Sequence, residues 1–212
     1  FANATALPPD DGSDPQRQVH AIRGADLCAC NQLLDRAART VLGTAFDADG
    51  ATAARGTPNA AAGRELAALL APRADRRSLG TGDELFAWVD RHARTLDPQD
   101  LLATAAAEIG TAIGTALRSL GVADALVAGG GARHRPLRDA IAAAAGCRVE
   151  PTDTVGIPHG ARESVGWAIL GALAQDGIDI ALPAVTRRPP GAASPHGTWT
   201  GPYANAGRLN PR

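Results

Sequence analysis

Residues 123–146 restrict the fold more than any other stretch. A short apolar run from Ala123 to Ala128 is followed by three consecutive glycines at 129–131, then by a helical pattern from Pro136 to Ala145 that Gly146 stops. Strand, glycine loop and helix in that order place the chain among the α/β proteins. Glycines at the end of a buried strand permit positive φ and remove the β-carbons. A ligand's base or phosphates can then approach the backbone and meet a helix N-terminus. A plain tight turn would use the same residues, and both readings stand at this point. The dinucleotide fingerprint GxGxxG is not met, because His134 takes the place of its last glycine.

Around this unit the chain alternates strands and helices. FANATALPP and Gln18–Asp26 are predicted as two short strands joined by a polar connection rich in Asp, Gly, Ser and Pro. From Asn31 the residues Leu33, Leu34, Ala37, Ala38 and Val41 recur at helical spacing, with Asn31 placed to cap the first turn and Gly43 to end the last. FDADGATAARGTP, at 46–58, is a turn-forming stretch, and short helices are predicted at Arg64–Leu70 and Asp83–Arg94. Asp97 and Pro98 then form a cap and first-turn pair that opens a long helix through Leu101, Ala105, Ile109, Ile113 and Leu117. Cys147–Pro151 reads as a second strand after the glycine loop, and Arg162–Gln175 as an apolar helix ending near Gly177. The last thirty residues are rich in Pro, Gly and Ser, which predicts an irregular tail.

Composition removes several function classes. With 45% hydrophobic and 20% charged residues the chain of 212 fits an ordinary globular protein. A formal net charge of -1 gives no overall basic field for nucleic acid or anionic lipid, so neither is expected as a partner. The longest apolar run, Trp167–Ala174, falls far short of the ~20 residues that cross a bilayer. The opening residues show no positive n-region followed by an apolar core. With Phe1 first and no methionine anywhere, the expectation is a fragment or processed piece. Three cysteines, Cys28, Cys30 and Cys147, are too few and too irregular for a disulfide scaffold and favour a reducing, cytoplasmic setting. All 21 basic residues are arginine. The absence of lysine excludes both a Walker A loop and a lysine Schiff base.

Candidate site residues each carry two readings. Asp26, before the first strong helix, is positioned to act as general base or magnesium ligand, or merely as a cap or turn residue. Cys28 and Cys30 could bind a soft metal with His20, His134 or Cys147, or be buried apolar side chains; no known zinc spacing is reproduced, and no metal site is expected. Asp47 and Asp49 fail as an EF-hand, since position 58 is proline where the loop needs glutamate, and are expected in a turn held by side-chain hydrogen bonds. Glu163 either supports a helix dipole or accepts hydrogen bonds from a sugar. Arg133 and Arg135 flank the glycines and could meet phosphate or solvent.

Taken in order, several segments resemble the successive motifs of anhydro-N-acetylmuramic acid kinases. FANATALPP resembles the end of that family's GGxxNxTxL strand. GADLCACNQLLD is similar to FDxGPGNxLxD, with Asp26, Asn31 and Asp35 in matching places. FDADGATAARG resembles YDxDGxxAxxG, and GTGDELF resembles STGRExF. VAGGGARH is similar to CGGGxxN, PTDTVGIP to TTDxxGIP, ARESVGWAIL to MEAxAFAWL, and LPAVT to the closing LPxVTGA. The similarity runs from about Phe1 to Thr186.

The resemblance implies a ribonuclease-H-like lobe of the actin-like ATPase superfamily. Its mixed sheet would be flanked by helices, with a helical insertion at about 45–120 and a Pro/Gly-rich tail at 187–212. The family's N-terminal lobe, with its MSGTSxDG loop and HGQT motif, has no counterpart here. The implied reaction opens 1,6-anhydro-N-acetylmuramic acid with water and phosphorylates its 6-hydroxyl with ATP and Mg2+, in peptidoglycan recycling. By the same resemblance Asp26 would activate the water, Gly129, Gly130, Gly131 and Ala132 would face the nucleotide, and Glu163 and Asn31 would face the sugar. A homodimer is implied, and the single lobe is expected to be inactive alone. The chain departs from the pattern at Cys28, Ala29 and Cys30, where the family has Gly-Pro-Gly. Leu79 or Arg77 stands near the place of the lysine before STG, and His134 replaces an asparagine. Either a divergent kinase or a non-catalytic nucleotide-binding remnant fits those departures.

Overall fold

The computed structural model describes residues 1–12, 14–71, 83–182 and 186. The expected GTG of GTGDELF, the Arg77 and Leu79 positions and the tail from 187 lie outside the described residues. Strands β1 (Ala2–Ala6), β2 (Arg23–Cys28), β3 (Asp124–Val127) and β4 (Arg148–Pro151) are interleaved with seven described helices. These are α1 (Pro15–Ala21), α2 (Asn31–Leu42), α3 (Ala60–Leu70), α4 (Asp83–His92), α5 (Pro98–Leu120), α6 (Arg135–Ala145) and α7 (Arg162–Gln175). Single 3-10 turns sit at Ala48–Gly50, Ala53–Arg55, Gly130–Arg133 and Thr152–Val155.

Local chemistry explains most of the boundaries. Asn59 accepts from the N–H groups of Ala61 and Ala62, both at 3.0 Å, and so starts α3. Pro98 occupies the first turn of α5, where its missing N–H costs nothing. Gly43, Gly121 and Gly146 end α2, α5 and α6 in the left-handed conformation. Two expectations need correction. The predicted strand at 18–26 is a helix as far as Ala21, and β2 begins only at Arg23. An Asp14–Pro15 pair starts that helix as Asp97–Pro98 starts α5, and the Gln18 N–H bonds to the Asp14 carbonyl at 3.1 Å. Asn31 is the first residue of α2 rather than its cap; Cys30 holds the cap position and makes no side-chain capping bond.

The strands form two pairs instead of the one mixed sheet expected. β1 and β2 are antiparallel, with Asn3 opposite Asp26 and a register irregularity between Ala2 and Asn3. β3 and β4 are parallel, joined through α6. Among the described residues no ladder links the pairs, because no described strand lies between them to bridge their edges.

Two-stranded sheets are marginal alone, so the core lies among the helices. α5 touches α2, α3, α6, β1 and β2, and its Leu101, Leu102, Ile109 and Ile113 pack with Leu33 of α2, Leu66 of α3, Trp88 of α4 and Leu137 of α6. Each fully buried side chain of this size contributes about 1.5–3 kcal/mol. Trp88 also donates its indole N–H to the Ala62 carbonyl at 3.0 Å, so its polar edge is satisfied within the core. The outlier is α7, which buries none of its residues and leaves Trp167 71% exposed and Ile169 exposed. No helix among the described residues is long and apolar enough to cross a membrane.

Candidate active site

The glycine loop between β3 and α6 is held on three sides. Gly129 has φ 87° and ψ -176°, a combination essentially restricted to glycine. Its N–H donates to the His159 carbonyl at 2.8 Å. On a second side lies Asn31: a β-carbon at Gly131 would stand 3.0 Å from Asn31 Oδ1, and one at Gly130 would stand 3.3 Å from Asn31 Nδ2. The bare backbone at Gly131 thus lets the Asn31 amide approach closely; a β-carbon there would make it shift by a few tenths of an ångström. Ala132, next in the loop, is buried, and its N–H bonds back to the Gly129 carbonyl at 3.0 Å.

The third side is the 46–53 turn. Asp47 accepts from the N–H groups of Thr52 and Ala53, each at 2.9 Å, so this is the side-chain-held turn its sequence predicts. Asp49 grips Arg133 with two short contacts, Nε to Oδ1 at 2.8 Å and Nη2 to Oδ2 at 2.9 Å. Both side chains are more than half exposed, so the pair fixes geometry more than it adds stability. Arg133 therefore meets a carboxylate of its own chain, and Arg135 pairs with Asp139 at 3.6 Å.

Below the ion pair, His134 is buried and accepts the Leu137 N–H at 3.3 Å through Nδ1, capping α6. Its Nε2 has no hydrogen-bond partner among the described residues. Burial pushes the His134 pKa below the ordinary imidazole value, against the pull of Asp47 and Asp49. The ring occupies the place a β-carbon would need at Gly50, which itself has φ 73°.

Asp26 sits within β2, two residues before its end, with its side chain at the exposed surface. The segment that follows turns inward: Cys28, Ala29 and Cys30 are all buried, and Asn31 emerges against the glycines. The 26–31 segment thus reaches the 129–131 loop through Asn31. One helical turn on, Asp35 has its carboxyl pKa raised by burial, with Arg39 at 3.9 Å opposing that shift. Burial also pushes the Cys28 thiol up to about 12 and the Cys30 thiol to about 11, so neither is a ready thiolate. Among the described residues no group of three or more His, Cys, Asp or Glu could hold a metal ion.

Glu163 lies in the first turn of α7, beside Arg162 at 3.7 Å, with 81% of its side chain exposed. Four residues before it, His159 is braced by Asp153, which accepts the His159 N–H at 3.1 Å and contacts ring Nδ1 at 3.0 Å. Desolvation pushes the Asp153 carboxyl up, but the hydrogen bonds from the His159 ring and N–H, its own backbone hydrogen bond and the His159 charge together hold it below its usual range. No local sequence signal announces this pair or Asp49–Arg133, whose members are separated by 84 residues. A concavity of about 440 Å³ lies between Ala53–Pro58, α5 and the first turns of α6, lined in part by the Arg135–Asp139 pair.

Comparison with known proteins supplies the context. The family model described as anhydro-N-acetylmuramic acid kinase matches residues 2–196. A protein of that name from Burkholderia thailandensis is 36% identical over 194 residues, covering 80% of this chain and 47% of that protein. The Bordetella avium protein of the same name is 33% identical over 178 residues, covering 78% and 46%, and the Streptomyces coelicolor one is 32% identical over 200 residues, covering 88% and 47%. The chain spans about half the length of the curated relatives it matches. On this match across nearly its whole length, the chain belongs to the anhydro-N-acetylmuramic acid kinase family.

Proposed function

We propose that this chain is the C-terminal, nucleotide-binding lobe of an ATP-dependent kinase acting on 1,6-anhydro-N-acetylmuramic acid. The lobe would span residues 1–186, with 45–120 as its helical insertion and a ribonuclease-H-like origin for its strands. One observation supports the reading above others: Asn31 seats against Gly130 and Gly131, which joins the two motif segments that the reaction needs in one place.

In this reading Asp26 accepts a proton from the water that attacks the anomeric carbon. The anhydro C1–O6 bond breaks, O6 keeps its electron pair and attacks the γ-phosphorus of ATP as ADP leaves, and the one proton released overall is the one that Asp26 takes from the water. The exposure of Asp26 leaves the carboxylate free to reach such a water. Gly129, Gly130, Gly131 and Ala132 face the nucleotide, where bare backbone permits close approach. Asn31 and Glu163 serve the sugar, and the exposed position of Glu163 leaves its oxygens available to hydroxyl donors. Magnesium, when bound with the nucleotide, would supply charge neutralisation on the phosphates, held largely by phosphate oxygens and water. The products are N-acetylmuramic acid 6-phosphate and ADP, which places the enzyme in cytoplasmic peptidoglycan recycling, as a homodimer.

The burial of Cys28, Ala29 and Cys30 where the family has Gly-Pro-Gly favours a second reading, a nucleotide-binding remnant without chemistry. A coupled ADP-release assay separates the two. The 212-residue chain alone is expected to give no turnover with the anhydro sugar, since half a cleft cannot close over ATP. Joined to an N-terminal lobe it is expected to turn over, and Asp26→Asn is expected to abolish that turnover while ATP affinity stays within about twofold. Full turnover by Asp26→Asn would remove Asp26 from the role of base. Absence of turnover in the complete protein, with ADP still bound, would establish the remnant.

A further inference from the structure

We propose that Asp153 is a positioning residue for the nucleotide loop: it fixes His159, and the His159 carbonyl fixes Gly129. The inference rests on the reading of residues 129–132 as the nucleotide loop and adds to it a part that lies outside the loop.

The geometry is a relay of short polar contacts. Asp153 takes the backbone N–H of His159 at 3.1 Å and faces ring Nδ1 with both oxygens, at 3.0 and 3.3 Å. Held at backbone and ring, His159 cannot rotate its peptide unit freely. Its carbonyl then receives the Gly129 N–H at 2.8 Å. Asp153 is itself anchored, since it lies in the 3-10 turn Thr152–Val155 that closes β4, the parallel partner of β3, and β3 leads into Gly129. The adjacent strand ends are thereby tied together beyond the ladder, by a carboxylate on one side and a glycine amide on the other.

Two consequences separate this from a generic loop contact. The Gly129 amide is committed to protein, so Gly129 serves the nucleotide by shaping the turn rather than by donating to it. The same segment also continues through Ala161 into α7, so a shift of His159 moves the start of the helix that carries Glu163. Loosening Asp153 should therefore blur the loop's conformation without emptying the core, because none of the three residues belongs to it.

The test uses this chain joined to an N-terminal lobe, ADP as the probe, and two readouts: amide exchange at Gly129 by NMR and ADP affinity by titration. In the wild type the Gly129 amide is expected to be protected. Asp153→Ala is expected to speed its exchange at least about tenfold and to weaken ADP about tenfold. Asp153→Asn, which keeps an oxygen for the His159 N–H, is expected to fall between, at about threefold on each. Should Asp153→Ala fail to fold, Asp153→Asn carries the test alone. Asp124→Ala, which removes an exposed strand carboxylate paired to Arg148, is the control and is expected to change neither. An unprotected Gly129 amide in the wild type, or unchanged exchange in both Asp153 variants, overturns the relay. Faster exchange with unchanged ADP affinity overturns the positioning role while leaving the contact intact. If the wild type binds no ADP, the nucleotide reading of the loop fails and this role fails with it; the exchange data still report whether the contact exists, so the two failures are told apart.

Discussion

His134 shows how a single side chain can hold a site and set a pH limit. It caps α6 through Nδ1, presses on Gly50 where no β-carbon fits, and leaves Nε2 buried without a partner. Because burial lowers its pKa in the folded chain, the unfolded chain binds the proton more readily between the two values. Stability from this group is therefore complete above the unfolded pKa of about 6.5 and declines as pH falls below it, until the folded value is passed. Replacing the imidazole by the shorter amide of His134→Asn keeps a capping acceptor and removes the titration. Urea unfolding at pH 7.5 and 5.5 should show a smaller loss on acidification for His134→Asn than for the wild type; equal losses would show that the ring is not the titrating group. The cap was not legible in the sequence, where His134 stood out as the failed last glycine of a dinucleotide fingerprint, as a possible metal ligand beside the cysteines and as the replacement of a family asparagine. The legible residues were those whose role is local: Gly129 for its turn, Asp47 for its own loop, Gly146 for a helix end.

At the level of elements, α5 and α6 approach closely because of two glycines one turn apart. A β-carbon at Gly114 would stand 2.5 Å from the Ile141 carbonyl oxygen and 2.6 Å from Ala144 Cβ, and one at Gly110 would meet Ala140 and the Leu137 carbonyl. Alanine raises helix propensity by about 0.8–1.0 kcal/mol over glycine. Overpacking against a neighbouring backbone costs about 1–3 kcal/mol, and the clash at Gly114 meets backbone, which yields less than a flexible side chain. Gly114→Ala is therefore expected to destabilise the chain by ~1–2 kcal/mol in urea unfolding, against the propensity trend; a stabilised variant would mean the helices can separate freely. Most of the elements themselves were readable: α5, α6 and α7 follow from apolar spacing between an Asp-Pro or glycine signal and a terminal glycine. α1 was missed because Val19 and Ala21 alternate with Gln18 and His20 as in a strand. The Asp14–Pro15 pair that starts it is the same signal that correctly located α5. The pairing of strands was beyond local reading, since four segments of four to six residues carry no information about which edges meet.

Among the described residues, burial is concentrated in the helices around α5 and absent from α7. Trp88 is fully buried and hydrogen-bonded in the helical core, whereas Trp167 on α7 is 71% exposed. Trp88→Ala is expected to cost about 3–5 kcal/mol, and Trp167→Ser to stay within about 0.5 kcal/mol, both read by urea unfolding of the isolated chain. A large loss from Trp167→Ser would mean that α7 packs against something in solution. Composition anticipated a sizeable core but not its distribution, because the apolar character of α7 looks the same in the sequence whether it is covered or bare.

α5 is also a calliper. On a helix of 3.6 residues per turn, Gly110 and Gly114 share one flank, facing α6, while Ala116, Ser119 and Leu120 lie roughly on the reverse, facing β1 and β2. The strand bearing Asp26 and the helix that begins at the glycine loop are therefore mounted on opposite jaws of one rod. Across α5 they are held apart by roughly twice the 8–10 Å spacing of one packed helix pair, and Asn31, just past the strand, spans the gap to the glycine loop.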